Sequence, residues 1–274
     1  MFKEIKQVLQ EQFQYRDLIF RMASFEIKAK YQIHYLGAIW QILNPSIQIA
    51  IYWFVFGLGI RGGNPVTTKL GEVPFFLWML MGLIPWFFIS PSIVGGSNSV
   101  HQKVSLVSKM KFPISLLPTT KLFVNSFQFI TMLSLLFIVL FIYGIYPTLH
   151  WIQLVYYIGC LFIFLFSFAL LSSTIATLVR DYQMLLQSMM RMLLYLSPIL
   201  WDPNGDRVPD WISNILKLNP FYYILTGIRS SFLGESWFFE DMTYTIYFWL
   251  FTFALLYFGA KTHLKFRNNF MDYL

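Results

Sequence analysis

Long apolar runs separated by short polar joints dominate this chain. Runs of about 20 apolar residues can cross a bilayer core as helices. They recur at about 36–60, 75–93, 116–146, 151–179, 182–201 and 244–260. Ahead of them, residues 1–31 keep a helical period. Phe2, Ile5, Leu9 and Phe13, then Leu18, Met22, Phe25 and Ala29, fall three or four apart. Such a segment lies in the membrane interface, with Arg16, Arg21, Lys28 and Lys30 at lipid headgroups. Asn44 and Pro45 interrupt the start of the first span, and Pro85 and Pro91 predict a kinked or locally unwound second span. Residues 211–234 are apolar but broken by Pro220, Gly227, Arg229 and Gly234. They read as re-entrant or extracellular helices, not as a span. The expected fold is an all-α membrane protein. Residues 1–274 form one domain of six transmembrane helices, with an N-terminal amphipathic interfacial helix and extra helices between spans five and six.

Composition agrees. Of 274 residues, 57% are hydrophobic and 12% charged, against about 25% charged in a soluble domain. The aromatic share of 20% suits interfacial belts or an aromatic-lined passage. A net charge of +7 in such a chain reflects orientation and anionic lipid, not nucleic acid. With six spans, thirteen Lys or Arg fall on the side of the termini and five (Arg61, Lys69, Arg207, Lys217, Arg229) on the other. The excess makes both termini cytoplasmic. The N-terminus lacks the continuous apolar core of a signal peptide. The single cysteine, Cys160, allows no intrachain disulfide.

A polar line crosses the fifth apolar run. Gln183, Gln187, Arg191 and Tyr195 are four residues apart and share one winding helix face. Counted from Arg180, Arg191 lies roughly 16 Å along the axis, near the bilayer centre. A charge there faces protein or a wet cavity. It either holds neighbouring carbonyls or lines a path for something that crosses. Lys121 is the other cation inside a span. Trp40, Tyr52, Trp78 and Trp86 could line the same path or anchor in lipid.

Much chemistry is missing. No P-loop motif occurs, so ATP is not bound that way. His34, His101, His150 and His263 lack metal spacing, so no metal is expected. No serine sits in a nucleophile elbow, and the spans carry no carboxylate for a proton relay. If the chain moves a solute uphill, the energy comes from another chain. A membrane enzyme acting on polyprenyl phosphate is the rival reading, with Asp17, Glu26 and Asp181 as its acidic candidates.

Several segments resemble a known family in family order. These are Tyr15-Arg16-Asp17-Leu18-Ile19 with Leu36-Gly37-Ala38-Ile39-Trp40 and Leu43-Asn44-Pro45; Lys111-Phe112-Pro113 with Leu117-Pro118; Val179-Arg180-Asp181 with Leu196-Ser197-Pro198-Ile199; Leu218-Asn219-Pro220 with Gly227-Ile228-Arg229; and Phe266-Arg267 with Phe270-Met271-Asp272. Together they resemble the membrane subunit of ABC-2 type exporters, in the polysaccharide and teichoic acid export branch. Asn268 and Asn269 stand where basic residues are commoner. The resemblance implies a homodimer of this chain with two copies of an ATPase subunit, which binds the ATP and Mg; this chain itself carries no cofactor and catalyses nothing. It implies export of an undecaprenyl-linked polymer, wall teichoic acid first and O-antigen, capsular polysaccharide or drug as alternatives, from a bacterial plasma membrane. It also implies a cytoplasmic coupling helix after span two. There Val104, Leu106 and Val107 would anchor in the ATPase, and Lys103 and Lys109 would pair with its carboxylates. Arg191, helped by Lys121 and Tyr195, would meet the phosphates of the lipid-linked polymer.

Overall fold

The computed structural model describes residues 2–32, 35–69, 71–103, 113–179, 181–201 and 209–267. The amphipathic segment is two helices, α1 (Phe2–Gln14) and α2 (Arg16–Gln32), meeting at Tyr15. Their apolar stripe is divided between protein and surroundings. Val8 packs with Leu170, Leu256 and Ala260, and Met22 with Val100 and Leu117. Phe13, Phe20 and Phe25 stay exposed, as do Arg16, Arg21, Lys28 and Lys30. The segment is thus docked on the bundle while keeping an apolar and basic outer face.

A 3-10 turn (Gly37–Ile39) leads into α3 (Trp40–Tyr52), which widens to a π-helix over Trp53–Ile60. An antiparallel hairpin follows, β1 (Val66–Thr68) and β2 (Gly71–Val73), where the sequence promised only a loop. Val66 and Val73 face each other across it and are buried, which ties the hairpin to the core. Next come α4 (Phe75–Ser97), α5 (Ser99–Gln102), α6 (Leu116–Ile142), α7 (Ile152–Leu178), α8 (Tyr182–Leu196), α9 (Asp210–Leu216), α10 (Pro220–Leu233) and α11 (Met242–Phe266).

Among the described residues, 5 helical stretches are long and apolar enough to cross a membrane: Gly37–Ile60, Phe75–Ser97, Leu116–Ile142, Leu149–Leu178 and Met242–Phe266. The expected fifth span, 182–201, is shorter than the sequence suggested. Its helix α8 has 15 residues, about 22 Å at 1.5 Å each, against a core of about 30 Å. Pro198 is the reason. The residue before a proline is pushed out of the helical region, and Ser197 is extended at φ −87°, ψ 156°. The segment Ser197–Leu200 then turns into the protein and is buried.

Helix α4 is the hub. It is buried along nearly its whole length and touches α6, α7, α8 and α10. It also runs unbroken through Pro85 and Pro91, so the expected unwinding does not occur.

Helix α10 falls in the stretch that the sequence set apart from the spans. Asn219 caps it by accepting from Phe221 N at 3.0 Å, Pro220 starts it, and Gly234 ends it at φ 59°. From Phe221 to Leu233 almost every residue is buried against α4, α7 and α11. Gly227 permits the closest approach, since a Cβ there would lie 2.0 Å from the Tyr157 ring.

Polar contacts mark the two ends of the bundle. At the end carrying the termini, Arg267 pairs with Glu11 at 2.8 Å, and Ser115 Oγ donates to Glu11 at 2.5 Å. Glu26 there takes both Lys103, at 2.9 Å, and Lys121. At the far end, Gln153 Nε2 donates to Ser236 O at 2.8 Å, and Lys69 reaches Glu235 O.

Candidate functional site

The shortness of α8 leaves a groove between it, α3 and α4, bordered by the end of α2 and by Gln128 of α6. Its volume is about 820 Å³. Arg191 and Gln187 of the polar line reach it, with Trp40 of α3, Trp86 of α4 and Lys30 of α2. Arg191 is exposed and donates to Ser188 Oγ at 3.1 Å, a bond within its own helix that leaves the guanidinium at the wall. Among the described residues the groove carries two cations, Lys30 and Arg191, and no carboxylate. Lys30 also lies 5.3 Å from the Tyr31 ring centroid.

Four other residues expected on this path are elsewhere. Gln183 is half-buried and fastens α8 to α4, accepting from Ser97 Oγ at 2.6 Å and donating to Val94 O at 3.1 Å. Tyr195 is exposed beyond the groove, and its carbonyl accepts from Trp201 Nε1 at 2.7 Å. Lys121 faces Glu26 at the end carrying the termini, where its half-buried ammonium has a carboxylate to meet. Trp78 is buried under the Arg229 guanidinium, 3.5 Å from the ring centroid.

Arg229 takes the carbonyl-holding role that the sequence left open for Arg191. It donates to Trp78 O at 3.3 Å and Pro198 O at 2.8 Å. Counted among the external charges from sequence, it is instead buried between α4 and the turn after α8. Removing it from that count leaves the charge asymmetry steeper.

Sequence reasoning offered Trp40 and Tyr52 for this wall but missed Asn44 and Gln48 between them. Trp40, Asn44, Gln48 and Tyr52 all line the groove from α3. They are four residues apart, the spacing already visible in the facing line on α8. Reading Asn44-Pro45 as an interruption hid it, although α3 runs on through Pro45. Two helices therefore each turn a strip with four-residue spacing toward one groove.

The linker after α5, expected to couple to an ATPase, is only partly described. Lys103 pairs with Glu26, whereas Val104, Leu106, Val107 and Lys109 lie outside the described residues. Burial works to raise the Glu26 pKa, but hydrogen bonds from Lys121 and Lys103 outweigh it and hold the carboxyl below its usual 4.5. The three acidic candidates for an enzyme do not come together at the groove. Glu26 is taken by lysines, Asp17 sits beside Arg16 at 3.9 Å with both exposed, and Asp181 precedes α8. Among the described residues no group of three or more His, Cys, Asp or Glu could hold a metal. The groove offers aromatic faces, amide side chains and two cations to a ligand.

Comparison with known proteins agrees with this architecture. The family model of the ABC-2 type transporter matches residues 17–233. An O-antigen export system permease protein RfbA of Myxococcus xanthus is 27% identical over 225 residues, 82% of this chain and 84% of that protein. A namesake from Klebsiella pneumoniae is 26% identical over 219 residues, 80% of this chain and 81% of its own.

Proposed function

Because this chain belongs to the ABC-2 type transporter membrane family, we propose that it is the permease subunit of an exporter that carries a lipid-linked surface polysaccharide across a bacterial plasma membrane. The groove carries this reading. Trp40, Tyr52 and Trp86 offer aromatic faces along which sugar units slide, and Asn44, Gln48 and Gln187 offer exchangeable hydrogen bonds. Arg191 and Lys30 meet the phosphates that join polymer to lipid, Arg through its planar fork. Both termini are cytoplasmic in this reading, set by the excess of Lys and Arg around them. ATP and Mg are held by a partner ATPase in two copies, which the 97–111 segment engages. In this reading the chain works as a homodimer, with a second copy placed against the groove.

The relatives' names concern O-antigen export, which favours a polysaccharide over the wall teichoic acid suggested by the sequence motifs. Reconstitution with the cognate ATPase in proteoliposomes tests this. Undecaprenyl-diphosphate-linked O-polysaccharide should stimulate ATP hydrolysis above the level with lipid alone. Stimulation only by lipid-linked teichoic acid would move the reading to that polymer, and no response to either would end it.

A further inference from the structure

A cavity of about 480 Å³ lies under the joint of α1 and α2, where they rest on α6 and α7. It shares no lining residue with the groove. Its size falls in the roughly 300–1,000 Å³ range of ligand sites. Phenylalanine, leucine and isoleucine side chains from the four helices make most of its wall. Arg16 is its one charged side chain among the described residues, beside Gln12 and Thr119. Phe13 and Phe20 flank it and are 75% and 53% exposed. The Phe20 and Phe123 rings meet at 4.8 Å, which holds α2 over α6 on one side of the cavity.

Two observations select the occupant. The first is the apolar wall. Water finds too few hydrogen-bond partners in such a recess. The recess lies between a docked amphipathic helix pair and two helices long and apolar enough to cross a membrane. A lipid acyl chain is the apolar matter at hand there. The second is charge. On α1 and α2 six cations are exposed, Lys3, Lys6, Arg16, Arg21, Lys28 and Lys30, against one exposed carboxylate, Asp17. Glu11 and Glu26 are taken by Arg267 and by Lys103 with Lys121. Asp17 lies 3.9 Å from Arg16, with both side chains largely exposed, and such a pair is weak. An anionic headgroup therefore meets little opposition on this face.

We propose that this cavity is a lipid site. It takes one acyl chain of an anionic phospholipid from the leaflet beside the termini, and the headgroup phosphate meets the Arg16 guanidinium, whose planar fork suits it. The lipid completes the packing beneath the joint of α1 and α2. The inference goes beyond export and is independent of the cargo.

The full chain in phosphatidylcholine nanodiscs receives a trace of phosphatidylglycerol carrying a diazirine on its acyl chain. Photo-adducts are mapped by mass spectrometry. They should concentrate on Phe162 and Phe166 in the cavity, above Ile138 and Val155, which are exposed elsewhere on α6 and α7. The same probe with a phosphocholine headgroup should label the cavity about fivefold less, the effect of one basic side chain on an anionic lipid. Arg16→Gln should bring the two probes level while the adducts stay in place. Ile163→Trp, which fills the cavity from a half-exposed position, should remove the adducts from both phenylalanines. The inference fails if adducts spread evenly over the exposed positions, if the two headgroups label the wild type alike, if Arg16→Gln keeps the preference, or if folded Ile163→Trp keeps the adducts. Should Ile163→Trp misfold, Arg16→Gln and the headgroup comparison still decide.

Discussion

At the scale of single residues, two arginines show how context assigns the same side chain opposite work. Arg229 is buried and spends its donors on Trp78 O and Pro198 O, while Arg191 is exposed at the groove with Ser188 as its partner. Arg191→Ala should lower polymer-stimulated ATP hydrolysis about tenfold, in line with the ~1.5–3 kcal/mol of a charge-assisted contact, and Arg191→Lys should keep part of it. Full stimulation in Arg191→Ala proteoliposomes would make the residue a bystander. Gly227 tests packing. A methyl there meets the Tyr157 ring 2.0 Å away on a helix buried on nearly all sides. Gly227→Ala should cost at least about 1–3 kcal/mol, the usual penalty of overpacking, seen as a lower unfolding temperature; an unchanged transition would mean that the ring moves aside freely. Sequence foresaw a buried charge with two possible duties. It could not say which arginine took which, because the answer depends on what α10 folds back against.

At the scale of elements, what was readable followed local rules and what was not followed tertiary contact. Gly37–Ile60, Phe75–Ser97, Leu116–Ile142, Leu149–Leu178 and Met242–Phe266 stand close to the apolar runs that foretold them. Asn219, Pro220 and Gly234 bound α10 as capping chemistry requires. Pro198 shortened α8 by a rule available in the sequence, yet the apolar run through Trp201 masked it. The docking of α1 and α2 was not legible, because an amphipathic stripe fits lipid and protein equally well. The Glu26 cluster joins that docked helix to Lys103, where the linker begins, and to Lys121 in α6. Its carboxyl is depressed in the folded chain, so its stabilisation is present above the ordinary pKa of 4.5 and lost as pH falls through the lower folded value. Amide protection in α2 should therefore hold from neutral pH to near 4.5 and decline below it. Glu26→Gln should loosen α2 at neutral pH by about 1–3 kcal/mol and make its protection indifferent to acid. Wild-type protection in Glu26→Gln would dissolve the link between this helix and the linker.

At the scale of the whole molecule, two helices face each other across one groove. Trp40, Asn44, Gln48 and Tyr52 on α3 and Gln187 with Arg191 on α8 line it. The outer faces of the same helices expose Ile47, Ile51, Met189 and Met192. Polar walls cannot stand open to acyl chains without losing their hydrogen bonds, so in the proposed two-copy arrangement a second copy with the same rims would seal them by symmetry. Single cysteines at Ile47 or Met192, introduced with Cys160 buried and inert, should cross-link under mild oxidation in native membranes. The product should migrate at twice the 32.4 kDa of the chain. Cysteines at Val155 or Leu250, exposed on α7 and α11, should stay monomeric. If all four positions remain monomeric although a maleimide labels them, the groove is closed by lipid or by another protein, and the two-copy conduit is wrong.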